Sequence, residues 1–276
     1  MTVAEGDKRE GATGGEPMRT GGYYNLLKAV LYRQLLIWIR YPVDAAMGMV
    51  TMVLFFGLIF YGGKLFAGQA VTDSIEGLVV GYFLWTLAQR SYYGITNDVR
   101  SEASWGTLER HFVTPFGFGP VLAAKGVAVL VITFLQSAVV LAVMMAMTGR
   151  TLGMPVVSVV VVATLAIASV FGVGLAMAGL SVLYKRISNV VNLLQFAFIG
   201  LISAPIFEIP WLRALPLVQG SALLQKVMRD GVHVWEVPVL DLGVLVGSAV
   251  FYLFAGYGVF VLATRRARRL GVLGDY

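Results

Sequence analysis

The chain has 276 residues, of which 58% are hydrophobic and only 13% charged. A soluble domain carries about a quarter charged residues, so this chain cannot solvate a water-facing surface of its size, and the bilayer must be its main solvent. The net charge of +6 sits at the ends of apolar segments, as membrane topology requires, which argues against nucleic acid as a partner. There is no cysteine, which excludes a disulfide framework, a thiolate nucleophile and a cysteine metal site.

In chain order, residues 1–22 are polar, charged and glycine-rich with no apolar core. They read as a disordered cytoplasmic tail rather than a signal peptide. Residues 23–41 interleave Leu27, Val30, Leu31, Leu35 and Trp38 with Lys28, Arg33 and Arg40. That pattern predicts a helix lying in the membrane interface. A crossing needs about 20 mostly apolar residues, and six segments qualify within a transmembrane region spanning 42–264. They are 43–61, 77–96, 120–147, 155–184, 190–207 and 238–264. Pro42, Pro120, Pro155 and Pro238 stand at segment starts, where a missing N–H costs nothing.

Residues 98–115 join the second and third segments and contain a short amphipathic helix. Residues 204–237 are too long and too structured for a simple loop. Their stretch 222–228 is helical, while 204–217 is broken by Pro205, Pro210 and Pro216. The segment reads as an external helical hairpin that folds back toward the membrane. Residues 265–276 form a basic cytoplasmic tail. The predicted fold is therefore an all-α integral membrane protein of six transmembrane helices.

Orientation follows from the 21 lysines and arginines. With both termini inside, fifteen fall on the cytoplasmic side and five outside, with Arg90 left within the second span. This asymmetry sets both termini in the cytoplasm.

Polar groups inside spans are costly and point to function or to helix pairing. In the second span Trp85, Gln89, Tyr92 and Thr96 share a helical face, and Tyr93 lies beside them. Arg90 either snorkels to the cytoplasmic interface or borders a transport path. In the fifth span Ser188, Asn192 and Gln195 recur at i, i+4 and i+7, so they either line a cavity or bond another helix. The candidate path is thus Gln89, Arg90, Tyr92, Tyr93, Ser188, Asn192 and Gln195.

Enzyme signatures are missing. The sequence holds no phosphate-binding loop of the Gly-x-x-x-x-Gly-Lys-[Ser/Thr] type, and its two histidines, His111 and His233, stand in no metal-type cluster. Gly172, Gly174 and Gly179 lie in the fourth span, where close helix packing explains them.

The segment after the second span reads Asp98-Val-Arg-Ser-Glu102-Ala-Ser-Trp105-Gly106-Thr107-Leu108-Glu109-Arg110-His-Phe-Val-Thr114-Pro115, with Lys125-Gly126 at the next span's entrance. An acidic stretch, Gly-Thr-Leu-Glu and Thr-Pro at this place resemble the ABC-2 family of transporter permeases. Leu215-Pro216-Leu217, Ala222-Leu223 and Gly231 resemble that family's external segment before the last span. Trp105 departs from the pattern, standing where the family suggests a charge, and His111-Phe112 replaces a leucine pair. Trp105, Leu108 and Phe112 form one apolar stripe on a short helix.

The resemblance implies that this helix, through Glu102, Trp105, Gly106, Thr107, Leu108, Glu109 and Arg110, couples the chain to a separate ABC ATPase. It implies two ATPase copies that bind ATP and Mg, a second permease subunit forming a homodimer, and a cell-membrane setting with surrounding lipid. No cofactor is expected in this chain itself. The implied activity is ATP-driven export of an amphipathic or lipid-linked substrate. A non-transporting membrane scaffold or assembly factor is the alternative; it explains the spans but not the Gly-Thr-Leu-Glu segment.

Overall fold

The structure, a computed structural model, describes residues 22–67, 74–106, 118–150, 152–153, 155–184, 187–204 and 209–270. All regular structure among them is helical. Helix α1 spans Tyr23–Arg40, α2 Pro42–Ala67, α3 Ile75–Ser104 and α4 Phe118–Thr148; α5 spans Val156–Leu183, α6 Ser188–Ile202, α7 Val218–Arg229 and α8 Val239–Arg269. Two single 3₁₀ turns, Pro210–Ala214 and Val234–Glu236, flank α7. Pro42 opens α2, while Pro155 and Pro238 immediately precede α5 and α8. Each proline thus stands where the helix has no use for its missing donor.

Among the described residues, four helices are long and apolar enough to cross a membrane: α2, α4, α5 and α8. They contain the first, third, fourth and sixth expected segments. The other two differ in kind. The second expected segment lies inside α3, which has 30 residues but carries Gln89, Arg90, Asn97, Asp98, Arg100 and Glu102. Helix α3 tolerates them because it packs against α4, α5, α6 and α7, so few of its side chains meet lipid. The fifth lies on α6, whose 15 residues cover about 22 Å at 1.5 Å per residue. Its helical hydrogen bonding closes at Ser203 and Ala204, just before Pro205, whose ring disfavours helix in the preceding residue.

The core is built around α5. Its buried face is made of small groups, including Ala163, Ala166, Ala178, Gly172, Gly174 and Gly179, which let backbones approach closely. A methyl group on Gly172 would stand 2.1 Å from the Tyr252 carbonyl oxygen of α8, and one on Gly256 would stand 1.9 Å from the Gly172 carbonyl oxygen. The two helices therefore touch main chain to main chain. Gly174 receives the Ile95 side chain of α3 in the same way, and Gly220 of α7 rests on Ala166. Outward, α2 exposes Leu54, Phe55 and Leu58, and α8 exposes Phe251, Phe254 and Leu262. Large apolar side chains in such continuous bands need lipid against them.

The segment between α6 and α8 is a packed wedge. Helix α7 begins four residues before the predicted stretch and buries Val218, Leu223, Leu224, Val227 and Met228. It is entered through Leu217, buried and held at φ 69°, a left-handed conformation unusual for a leucine. Its N–H reaches Ser169 Oγ of α5 at 3.3 Å, and its carbonyl accepts from Ser221 N at 2.7 Å. Ser221 Oγ donates to the Ile202 carbonyl at 2.8 Å, satisfying an orphaned acceptor at the end of α6. Arg213–Asp241 and Arg229–Glu76 ion pairs, at 3.7 and 4.0 Å, tie the wedge to α8 and α3.

Helix α1 has no buried residue and leans on α4 and α2. Helix α8 continues past the predicted end of its span through Arg265, Arg266, Arg268 and Arg269, cations that favour a helix C-terminus.

The α5–α8 contact yields a test. Gly172→Val should lower stability in detergent by an amount at or above the ~1–3 kcal/mol of ordinary overpacking, because the obstacle is backbone. Gly258→Val, at a position with open space around it, should melt within a degree or two of wild type. Thermal unfolding of both purified variants reads the difference, and equal melting would refute the backbone contact.

Candidate functional site

The C-terminal end of α3 is clamped before the loop begins. Lys125, near the start of α4 and 7% exposed, forms an ion pair with Glu102, itself 6% exposed. A second carboxylate, Asp98, lies 3.0 Å from the same ammonium. One buried cation thus bridges two acids one turn apart on α3. Because α3 continues without a break to Ser104, there is no separate amphipathic helix before that point. Gly106 has a left-handed φ of 65°, and Trp105 is left 71% exposed.

This placement changes the reading of Glu102, predicted at the coupling surface. It faces inward to Lys125 and braces the base of the loop. Trp105 and Gly106 lie at its open end. Thr107, Leu108, Glu109 and Arg110 lie outside the described residues.

The candidate path residues divide between two sides of α3. Gln89 Nε2 donates to Gln195 Oε1 of α6 at 3.2 Å, and Tyr93 Oη donates to Asn192 Oδ1 at 2.8 Å. The predicted polar faces of the second and fifth spans therefore meet each other. Tyr92 is fully buried; it donates to the Val191 carbonyl at 3.2 Å and stands edge-on to Phe198. It is part of the packing between α3 and α6. Ser188 is the first residue of α6 and half-buried.

Arg90 points elsewhere. Its Nη1 donates to Gln136 Oε1 of α4, and its Nε is buried without a partner. It borders a cavity of about 620 Å³ that also touches α1 and α2, through Trp38, Asp44 and Gly48. A second cavity of about 510 Å³ lies nearer the N-terminal end of α3, walled by apolar groups such as Phe55, Trp85 and Phe196. The two lie along α3, one polar and one apolar. No cluster of metal-ligating side chains occurs among the described residues.

Two participants escaped the sequence reading. Gln136 is a lone amide in an apolar span, a signal that burial cost alone could have raised. The Lys125 clasp joins residues 23 and 27 positions apart, which no helical periodicity links.

The family model for ABC-2 type transporters matches residues 25–232, from the start of α1 to beyond α7 and well over half of the chain. The chain belongs to the ABC-2 type transporter family. It is thus a multi-pass membrane protein and the permease component of an ABC transporter, in a family that works with an ABC ATPase. No curated protein matches the chain.

In this permease the clasp at Lys125 invites a direct test. Lys125→Met removes the ammonium from between Glu102 and Asp98, and breaking one side of a buried pair costs about 3–5 kcal/mol. The double variant Lys125→Met/Glu102→Met removes both charges and should recover most of that loss. Thermal unfolding in detergent separates them. A single variant as stable as wild type would mean that the pair contributes nothing.

Proposed function

We propose that the chain is the membrane-spanning subunit of an ABC exporter, crossing the cell membrane six times with both termini in the cytoplasm. Helices α3 and α6 supply the second and fifth crossings. Two copies pair as a homodimer, and two copies of a separate ATPase, which bind ATP and Mg, dock beneath them. Closure of the ATPases pushes on the segment from Trp105 to Arg110. The substrate is an amphipathic or lipid-linked molecule, consistent with polar and apolar cavities set along one helix.

The observation that carries this reading is the mechanical base of the loop. A segment that receives force must be anchored stiffly where it joins the membrane domain. The Glu102–Lys125–Asp98 cluster ties α3 to α4 at that point. Exposed Trp105 and the left-handed Gly106 then present the chain outward. Force delivered there reaches α3, and through the Gln89–Gln195 and Tyr93–Asn192 bonds it reaches α6.

Gly106→Trp and Glu109→Lys should reduce co-purification of the ATPase or uncouple ATP hydrolysis from transport, leaving membrane insertion intact. Any side chain at Gly106 is strained by its positive φ, and reversing Glu109 sets a charge against its partner. Co-purification and ATP turnover in reconstituted membranes are the readouts. Wild-type values for both variants would remove the coupling role.

Orientation has its own test. Single cysteines replacing Arg150 and Lys185 in this cysteine-free chain should label from opposite sides of the membrane. Labelling from one side would overturn the topology.

A further inference from the structure

The cavity at Arg90 carries more than a place on a transport path. Arg90 and Asp44 are the only charged side chains in its wall, and they do not pair with each other or with any other carboxylate or cation among the described residues. A guanidinium offers five N–H donors, yet among the described residues the one hydrogen bond that Arg90 makes is to Gln136. Its Nε is buried and unpartnered, as is Nε1 of Trp38 in the same wall. An unmatched cation inside a membrane domain is expensive, and such a group is complementary to an anion that arrives from outside the chain.

The positions of the two charges say what kind of anion. A methyl on Gly48 would stand 3.9 Å from Arg90 Nη2, so Gly48 marks the level of the guanidinium on α2. Asp44 lies one turn nearer the start of that helix, about 6 Å away along the axis. With the start of α2 on the cytoplasmic side, the cation is deeper and the carboxylate shallower. A zwitterionic phospholipid of the inner leaflet has the matching order, its phosphate next to the acyl chains and its amine toward water. Arginine binds phosphate with two parallel N–H bonds. Trp38 of α1 and Tyr41, the residue that follows that helix, border the same cavity, and their rings suit both the headgroup level and an ammonium group.

We propose that this cavity binds the headgroup of a zwitterionic, phosphate- and amine-bearing lipid from the cytoplasmic leaflet, with Arg90 on the phosphate and Asp44 on the amine. The assignment rests on the topology proposed above and names the lipid class that the permease receives. Glycine at position 48 keeps the space in front of the guanidinium open.

The test is lipid retention by the full chain in detergent, followed by native mass spectrometry, without ATPase or nucleotide. Short-chain phosphatidylethanolamine should bind about tenfold or more tightly than diacylglycerol, the margin of a charge-assisted bond, with phosphatidylglycerol between them. Arg90→Gln should bring phosphatidylethanolamine down to the diacylglycerol level. Asp44→Asn should abolish its advantage over phosphatidylglycerol. Gly48→Leu fills the headgroup space without altering charge and should weaken both phospholipids; it carries the test should Arg90→Gln fail to fold.

Unchanged retention in Arg90→Gln or Gly48→Leu would overturn the site. Equal binding of soluble glycerophosphoethanolamine would overturn the lipid as its source. Because binding is read without nucleotide, its failure leaves ATPase coupling untouched, and failed coupling leaves the site standing.

Discussion

Everything in this permease is arranged around one close approach. Gly172 of α5 and Gly256 of α8 meet backbone to backbone, with no room for a single added carbon. In lipid there is little hydrophobic force between helices, so contact area and packing decide which helices associate. Two main chains in direct contact gain dispersion along their whole crossing. That pair then presents α5 as a fixed post. Gly174 accepts Ile95 of α3, and Ala166 accepts Gly220 of α7, so the other layers are indexed to the same helix.

On that post, α3 behaves as a long lever with different chemistry at each level. Near its C-terminal end, carboxylates are held by Lys125. Further along, amide and phenol groups bridge to α6. Arg90 lies on another side and reaches α4 through Gln136. Such polar contacts are specific in distance and direction, whereas apolar packing tolerates sliding. A displacement of α3 is therefore passed to two neighbours through defined bonds.

The architecture was legible where local rules decide it. The prolines at 42, 155 and 238 mark helix starts in the sequence and in the fold alike, and the basic and aromatic pattern of 23–41 forms a helix without buried residues, as its composition requires. The pairing of α3 with α6 was half legible: the polar faces of Gln89 and of Asn192 and Gln195 could be read, but not that they face one another. The inward contact of Glu102 with Lys125 was not legible, because the two lie 23 residues apart across a turn. Helix α3 runs on past its apolar segment to Ser104, since nothing between Thr96 and Trp105 breaks a helix. Helix α6 came out shorter than its apolar run, because Pro205 acts on the residue before it.

The shortness of α6 has a mechanical consequence for the surrounding bilayer. Its apolar outer side chains, Val190, Leu193, Phe196 and Ile199, are exposed, yet the helix covers about 22 Å where the hydrocarbon core is about 30 Å thick. As the fifth crossing proposed above, it asks the lipids beside it to thin, at a fraction of a kcal/mol per ångström. Thinned bilayer shortens the apolar distance that a polar headgroup has to cross. For the proposed exporter, the thickness of the membrane beside α6 then becomes a variable of the working cycle.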